Sequence, residues 1–318
     1  MNIQLRNIKP GDEAIILELS QAADAVDRAE RGLSASEVNQ WLTVPGVQPE
    51  QDFFIAEADG NPVGVVGFDI QTGTLEKHRA FVGGFVHPEY RRRGIGAKLM
   101  EVVEARAAEK MRDLPGGFAR YFESFCRSTQ ADVAALFESR GMEVVRYFFN
   151  MQRDLRRDLP DAPVPDGLLI REYRDEDDGA TLAALNEAFA DHWGHEPLSI
   201  EEWKHFLRGV PHFRSELWLL AWAGNEIAGF TLNFVDPAYI QRVRRNEGIV
   251  GEVGVRRPWR KRGLATALVA RSLHALRQAG MDYAMLGVDT ENLTGAVGLY
   301  ERLGFYELRQ NVVYRKTA

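Results

Sequence analysis

Residues 255–266 read Val-Arg-Arg-Pro-Trp-Arg-Lys-Arg-Gly-Leu-Ala-Thr, and residues 86–97 read Val-His-Pro-Glu-Tyr-Arg-Arg-Arg-Gly-Ile-Gly-Ala. In both stretches an apolar strand signal is followed by a basic turn with small residues and then by an amphipathic helix. A second match follows each turn, because residues 136–142 resemble residues 299–305. Two matches in the same order predict an internal duplication.

Residues 156–167 separate the two copies, and they contain three prolines and three aspartates. This composition disfavours regular structure and predicts a linker. We therefore predict an N-terminal domain over 1–157, a linker over 158–165 and a C-terminal domain over 166–318. Each half opens with a strand, a helix and a hairpin; we predict strands at 3–6 and 168–171, helices at about 10–25 and 178–190, and hairpin turns at 59–61 and 224–225.

Composition narrows the function classes. The chain has 318 residues and a net charge of −7, which argues against a nucleic-acid partner. Its single cysteine, Cys126, excludes an intramolecular disulfide and is typical of a core residue rather than a nucleophile. The N-terminus lacks a signal-peptide pattern and no apolar run is long enough for a membrane span, so we expect a cytoplasmic protein without membrane contact. The histidine spacing matches no metal-ligand motif, so no metal is predicted.

The basic turn has the chemistry of an anion site. Small residues allow close backbone approach, and the first N–H groups of the helix that follows lack intrahelical partners. These donors, the helix dipole and the flanking basic side chains suit a diphosphate. A Walker loop is excluded because no Gly-Lys-Ser/Thr ending is present, and a Rossmann fingerprint is excluded because the third glycine is missing. A basic loop without a ligand is the alternative, but its occurrence in both copies favours a ligand site.

The turn at 260–265, with Val255 before it and Leu-Tyr-Glu-Arg-Leu-Gly-Phe at 299–305 after it, resembles the GNAT acyltransferase superfamily. The resemblance covers nearly the whole chain and implies an α+β fold of two tandem domains, each a mixed, mostly antiparallel sheet flanked by helices. It implies acetyl-CoA or another acyl-CoA as co-substrate, in a cleft between two diverging strands. The cofactor-binding residues implied are, in the second half, Val253, Val255, Arg260, Lys261, Arg262, Gly263, Leu264, Ala265, Thr266 and Asn292, and, in the first half, Val86, Arg91, Arg92, Arg93, Gly94, Ile95, Gly96 and Ala97.

Residues 165–171 and 186–189 also look like the two-domain mycothiol synthase group. That likeness would imply an aminoglycoside-like thiol conjugate as acceptor. The matching residues are those that build the fold, so they leave aminoglycoside-type, polyamine, amino-acid-derived and protein amines open.

The resemblance also implies a mechanism in the second half. Glu252 would be the general base that removes the proton of the attacking amine, through water. The Val255 N–H would polarise the thioester carbonyl, and Tyr300 would protonate the departing sulfur. The alternatives are an exposed strand residue for Glu252, a packing aromatic for Tyr300 and a helix cap for Asn292.

The first half departs from this pattern. Gly83 stands where Glu252 stands, Phe137 where Tyr300 stands, and Thr129 in place of Asn292. The phosphate turn is kept while the groups for proton transfer are absent. We therefore predict that the first half is non-catalytic and binds CoA weakly or supports its partner.

The segment after the first helix of the second half predicts the acceptor site, at His192, Trp193, Glu196 and Trp203. Aromatic and carboxylate groups suit a cationic amine with an apolar body. The sequence thus predicts an N-acetyltransferase that acts on a primary amine of a small molecule, as a monomer or homodimer. A non-catalytic acyl-CoA sensor or assembly module is the alternative.

Overall fold

The computed structural model describes residues 1–72, 77–210, 212–292 and 295–318. Strands β1 to β12 are Ile3–Asn7, Phe53–Ala58, Asn61–Thr72, Lys77–Val86, Ala119–Arg127, Glu143–Asp154, Leu169–Glu172, Trp218–Ala223, Glu226–Phe234, Glu247–Val255, Tyr283–Asp289 and Tyr306–Thr317. Helices α1 to α10 are Glu13–Asp27, Ala35–Leu42, Pro49–Asp52, Ile95–Arg112, Ala131–Ser139, Asp178–Phe189, Ile200–Trp203, Pro237–Val243, Leu264–Gln278 and Ala296–Arg302. The strands, helices and hairpins expected from the sequence are confirmed, with small shifts at their ends.

Local sequence accounts for several of these boundaries. The hairpin between β2 and β3 turns at Asp59 and Gly60, whose φ angles are 51° and 85°, the left-handed pair that a two-residue turn of this kind requires. Helix α2 begins with a capping box, in which Ser34 and Glu37 each bind the other's backbone N–H. The linker over 158–165 carries no helix or strand, as its prolines predict.

The chain forms two compact units, unit 1 (1–146 with 311–318) and unit 2 (147–310). In unit 1 the strand order is β1-β2-β3-β4-β5, and the last part of β12 pairs with β5. Neighbouring strands are antiparallel except β4 and β5, which are parallel. One face packs on α4, around residues such as Val103 and Phe122, and the other packs on α1 and α2, around residues such as Ile16 and Phe53.

Unit 2 repeats this plan. Its strand order is β7-β8-β9-β10-β11-β6, and β10 and β11 are the parallel neighbours. Helix α9 covers one face, where Val269 and Leu273 are fully buried. Helices α6 and α7 cover the other, where Trp203 and Trp218 are fully buried.

The final strand of each sheet comes from the opposite half of the sequence. Residues 311–317 pair with β5 from Asn311–Arg127 to Thr317–Tyr121, so the C-terminus completes unit 1. Residues 148–154 pair with β11 and complete unit 2. The compact units therefore differ from the sequence halves 1–157 and 166–318 by this exchange. A fragment that ends at residue 157 would lack the last strand of its own sheet.

No helix in the described ranges of the chain is both long and apolar enough to cross a membrane.

Candidate active site

A wedge opens between the two parallel strands of unit 2. Strands β10 and β11 pair from Glu247–Tyr283 to Ile249–Met285, while β10 continues to Val255 and β11 to Asp289. Beyond Ile249 the two strands diverge. Backbone groups on the β11 side of β10 therefore face an opening rather than a neighbouring strand.

Val255 presents its backbone to this wedge. The N–H of Arg256 donates to Ala228 O at 3.0 Å, which fixes the alternation of the antiparallel β9–β10 ladder. The adjacent residue, Val255, therefore directs its N–H and C=O away from β9. The Val255 N–H thus points into the wedge, as a donor to a thioester carbonyl must.

The turn after β10 is built as an anion cradle. Lys261 and Gly263 adopt left-handed φ angles of 60° and 84°, and no side chain caps helix α9 at Gly263. The first intrahelical bond of α9 runs from Ala267 N to Gly263 O at 3.1 Å. The N–H groups of residues 264–266 therefore point out of the helix end, where an anion is favoured.

Arg260 holds this turn together with its own guanidinium. Its Nε donates to Val255 O at 2.9 Å, its Nη2 donates to Ala188 O at 2.9 Å and its Nη1 to Asp191 at 3.1 Å. Arg257 also pairs with Asp191, and the two arginines lower the pKa of Asp191 to about 2. Because these donors are committed to the protein, the exposed side chains of Lys261 and Arg262 are the ones placed to reach phosphate. Arg262 also donates through Nη2 to Asp166 O at 3.2 Å.

Glu252 lies beside a β-bulge. The β9–β10 register steps from Asn233–Val250 to Leu232–Glu252, so Gly251 is an extra residue. A Cβ on Gly251 would lie 2.4 Å from Leu232 O, which explains the glycine. Within the described chain the Glu252 carboxylate has no hydrogen-bond or ion-pair partner, and burial raises its pKa above the ordinary 4.5. A desolvated, unpaired carboxylate in a cleft is a base candidate rather than an exposed strand residue.

Tyr300 lies in α10 and is 7% exposed. Burial raises its pKa, and the negative charge of Glu252 raises it further, which places the two groups within electrostatic reach of each other. Its ring also packs against Phe305, with centroids 5.8 Å apart. Tyr300 is therefore both a packing aromatic and a phenol that stays protonated at neutral pH.

Asn292 follows β11, and its N–H donates to Asp289 O at 3.2 Å. Helix α10 begins after Gly295, whose φ is 70°, so Asn292 is not the N-cap of that helix. The intervening residues 293 and 294, which the predicted cap segment includes, lie outside the described part of the chain.

The segment after α6 brings three of the predicted acceptor residues together. His192 packs on Phe189 with ring centroids 4.3 Å apart, and Trp193 packs on Phe148 at 6.1 Å. Burial lowers the pKa of His192 and of His195, so both imidazoles are neutral at pH 7. Glu196 lies in the same segment and is partly buried.

Trp203, the fourth predicted acceptor residue, is a core residue. It is fully buried, packs on Trp218 with centroids 5.4 Å apart, and donates its indole N–H to Asp178 at 2.7 Å. Its place in the sequence shortly after the histidines gave no sign of this burial. We therefore leave Trp203 out of the acceptor site and correct that prediction.

Unit 1 repeats the turn closely. Arg92 and Gly94 have φ angles of 60° and 80°, and Arg91 Nε donates to Val86 O at 3.2 Å while Nη1 pairs with Asp27 at 2.5 Å. A cleft of about 500 Å³ adjoins this turn and is lined by residues from the wedge between β4 and β5. A separate recess beside the unit 2 turn is lined by linker residues 162–166 with Arg262, Gly263 and Thr266.

Other features of unit 1 also differ from unit 2. The β3–β4 register runs without a shift from Gly64–Val86 to Thr72–His78. Ser124 Oγ donates to Val82 O at 2.7 Å inside the wedge. Cys126 is 1% exposed and burial raises its pKa to about 11, so its thiol stays protonated, as expected of a core cysteine.

Sequence reasoning missed three features of these sites. It gave no sign of the Asp191 clamp on Arg257 and Arg260, of the bulge at Gly251, or of the exchanged strands. A basic turn preceded by an aspartate at the end of the first helix, present in both copies as Asp27 and Asp191, could have suggested the clamp.

Comparison with known proteins agrees with the fold. The sequence model of the acetyltransferase (GNAT) family matches residues 18–142 and again residues 179–305. The chain is 30% identical to a mycothiol acetyltransferase of Thermobispora bispora over 96% of this chain and 97% of that protein. It is 34% identical to a mycothiol acetyltransferase of Salinispora tropica over 72% of this chain and 71% of that protein.

Solved structures show the same tandem arrangement. A GCN5-related N-acetyltransferase from Sphaerobacter thermophilus matches with a TM-score of 0.77 and 28% identity, covering 99% of this chain and 95% of that chain. A tandem GNAT protein from the clavulanic acid biosynthesis pathway matches in fold, with a TM-score of 0.71 and 17% identity over 99% and 98% of the two chains. The chain therefore belongs to the GNAT acetyltransferase family as a tandem member. It is an acyl-CoA-dependent N-acetyltransferase.

Proposed function

We propose that unit 2 transfers an acetyl group from acetyl-CoA to a primary amine of a small molecule, and that unit 1 binds acyl-CoA without catalysis. The observation that carries this assignment is the pairing of an unpartnered carboxylate, Glu252, with a protonated phenol, Tyr300, at the wedge of unit 2. Gly83 and Phe137 hold the corresponding positions in unit 1. The turn of unit 1 nevertheless has the same backbone shape as that of unit 2.

The CoA diphosphate binds the N–H groups of residues 264–266, with Lys261 and Arg262 beside it, and the pantetheine arm follows β10. Val253 and Val255 both lie on the ladder positions that direct their N–H groups toward the wedge. Arg260 holds the Val255 carbonyl at 2.9 Å. It thereby fixes the strand end that supplies the donor to the thioester.

Glu252 removes the amine proton through a water molecule. An alkylammonium with a pKa of about 10.4 is mostly charged at neutral pH, so a base is needed before attack. The raised pKa of Glu252 makes its carboxylate a stronger base than an exposed glutamate. The amine nitrogen then bonds to the carbonyl carbon, and the Val255 N–H stabilises the oxyanion.

Collapse of this intermediate breaks the carbon–sulfur bond, and the Tyr300 hydroxyl donates a hydrogen bond to the departing sulfur. The raised pKa keeps Tyr300 protonated throughout the neutral range. It also makes the phenol a weaker acid than a thiol, whose ordinary pKa is about 8.5. Hydrogen bonding to the departing sulfur is therefore the main contribution of Tyr300, and a bulk proton completes the transfer.

The acceptor is proposed to be an aminoglycoside-like amine of the mycothiol-precursor type. Two relatives at 30% and 34% identity are named mycothiol acetyltransferases. Neutral His192 and His195 do not repel an ammonium group as cationic residues would, and Glu196 offers a carboxylate to it. Trp193 supplies an apolar face for a sugar ring.

Incubation of the full chain with acetyl-CoA and a panel of amines tests this function. The panel contains a cysteinyl aminoglycoside, a plain aminoglycoside, a polyamine and a lysine peptide. Product is detected by mass spectrometry, because an acceptor thiol would interfere with thiol reagents. Acceptor-dependent acetylation is expected, with the cysteinyl aminoglycoside the fastest. Binding of acetyl-CoA without turnover of any amine would instead support an acyl-CoA sensor.

A further inference from the structure

The cleft of unit 1 joins the phosphate turn to the interior of the wedge. Strands β4 and β5 pair up to Phe81–Glu123 and then diverge toward Val86 and Arg127. The cavity of about 500 Å³ is lined by turn residues at one end and by Gly83, Gly84, Phe125 and Arg31 farther in. It has room for more than the diphosphate.

Arg31 contributes a guanidinium to this inner part. Its Cζ lies 4.0 Å from the centroid of the Phe125 ring, and its Nη1 donates to Phe125 O at 3.0 Å. Phe125 in turn packs on Phe81 with ring centroids 5.6 Å apart. The cation therefore lies against an aromatic side chain that also lines the cleft.

The segment around Arg31 is held in place. Its backbone N–H donates to Asp24 at 2.8 Å, and Ala29 O accepts from Arg127 Nε at 2.9 Å. Arg28 and Glu30 have left-handed φ angles of 50° and 52°, conformations that need support from their surroundings. The guanidinium is thus positioned before any ligand arrives.

In the described part of the chain the Arg31 guanidinium has no ion pair of salt-bridge length, and Asp24 and Asp27 act on its charge only from farther away. Asp27 is instead bound to Arg91 and Gln130. Burial lowers the pKa of Arg31, which reflects the unfavourable desolvation of this cation. The Phe125 carbonyl oxygen accepts from only one nitrogen of the Arg31 guanidinium. An anion in the cleft could accept from the remaining N–H groups.

The diphosphate does not meet this need. It belongs at the N–H groups after Gly94, beyond the end of β4, whereas Arg31 contacts Phe125 on β5 deeper in the wedge. Gly83 is three residues before Val86, about 10 Å along an extended strand. A ligand that spans both ends needs a phosphate at the turn and a second anionic group well separated from it.

We propose that the unit 1 cleft binds a CoA thioester whose acyl chain ends in a carboxylate, with that carboxylate paired to the Arg31 guanidinium. This inference rests on the part of the proposed function that assigns the unit 1 turn to CoA. The thioester is bound and not transferred, since Gly83 and Phe137 supply no base and no acid.

Calorimetric titration of the full chain tests the proposal with glutaryl-CoA and pentanoyl-CoA, which have equal chain length and differ in the terminal carboxylate. The protein carries Thr266→Glu, which places a negative charge at the unit 2 turn and leaves unit 1 as the binding site. Glutaryl-CoA is expected to bind about 10–100-fold more tightly, the effect of a hydrogen-bonded charge pair. Arg31→Gln should remove this preference and Arg31→Lys should keep part of it.

Arg28→Gln is the matched control, because it removes an exposed charge from the same segment outside the cleft lining. Equal affinity for the two thioesters, or a preference that survives Arg31→Gln, would overturn the proposal. So would free glutarate with CoA reproducing the tight binding, since the carboxylate would not then belong to the acyl chain. Acetyl transfer by the unaltered chain is measured separately. A negative result for glutaryl-CoA binding at unit 1 would therefore not affect the assignment of catalysis to unit 2.

Discussion

The two units share the basic turn and the aspartate that pairs with its first arginine, and they differ in the side chains of the wedge beside the turn. The paired turn residues have φ angles of 60° and 80° in unit 1 and 60° and 84° in unit 2. Both turns begin with an arginine that bonds to the carbonyl of the strand end five residues earlier. Only ten or so residues are needed to specify this geometry, so it survives in a unit that has no carboxylate or phenol.

The strands that lead into the two turns differ between the units. Unit 2 has a bulge at Gly251 next to Glu252, whereas the β3–β4 ladder of unit 1 is regular. Unit 1 has a fixed cation, Arg31, after its first helix, where unit 2 has the neutral imidazoles of His192 and His195. Asp24, Asp27 and Asp132 also line the unit 1 cleft, and Asp27 is paired with Arg91. The part of the cleft beside Arg31 therefore suits a carboxylate, whereas the segment at His192 and His195 suits an ammonium group.

The largest expected effect is the loss of catalysis when unit 2 loses its proton-transfer groups. Glu252→Gln should lower kcat by about 10²–10⁴-fold, the usual contribution of a general base. Tyr300→Phe keeps the ring packing on Phe305 and should lower kcat less, since a bulk proton can complete the reaction. Initial rates at saturating acetyl-CoA measure both, with the exposed Glu301→Gln as control. Full rates in both variants would contradict the assignment of catalysis to unit 2.

The second largest expected effect distinguishes acyl-CoA binding at the unit 2 turn from binding at the unit 1 turn. Thr266→Glu and Ala97→Glu each place a carboxylate at the N-terminal end of the helix that follows the basic turn. The helix dipole stabilises this carboxylate, so the helix is kept, while its negative charge repels a bound phosphate. Thr266→Glu should raise the KM for acetyl-CoA by about 10–100-fold through this repulsion. Ala97→Glu should leave turnover unchanged while it removes binding at unit 1, as measured by calorimetry. A loss of turnover in Ala97→Glu alone would place catalysis in unit 1.

The pH profile gives a smaller but more specific signature. Glu252 must be deprotonated to act as base, and burial raises its pKa above 4.5. The kcat/KM for acetyl-CoA should therefore rise with pH, with a midpoint above that value, and level off as Glu252 becomes fully ionised. The residual rate of Glu252→Gln should lack this limb, measured with buffers of constant ionic strength. An unchanged limb in the variant would assign it to another group.

The smallest expected effect is on stability. A carboxyl group whose folded-state pKa is raised binds its proton more tightly in the folded state, so its contribution to stability falls as pH rises from the unfolded value through the folded value. Glu252→Gln should therefore raise Tm at pH 7 by about 2–4 °C for each kcal/mol of desolvation relieved. The gain should disappear near pH 4, where the carboxyl is protonated in both states. Thermal scans at the two pH values measure the change in Tm, with Glu301→Gln as control. A lower Tm for Glu252→Gln at pH 7 would contradict the argument that burial of the charged carboxylate is destabilising.

Much of the site could be predicted from the sequence because its parts are short and local. The basic turn, the strand before it and the helix after it lie within about a dozen residues, and strand alternation places Glu252 and Val255 on opposite faces. Trp203 was misplaced for the converse reason. A tryptophan near two histidines is equally consistent with a pocket and with a core, and only its packing on Trp218 separates these alternatives.

The sequence by itself determined the duplication, the proline-rich linker, the two basic turns and which copy keeps the carboxylate and the phenol. These features depend on residue identity and short spacing, which are visible along the chain. The tertiary structure decided the exchange of the last strands, the clamp between Asp191 and Arg260 across 69 residues and the desolvation of Glu252 and Arg31. Burial and long-range pairing depend on which distant segments come together, and hydrophobic pattern alone leaves that choice open.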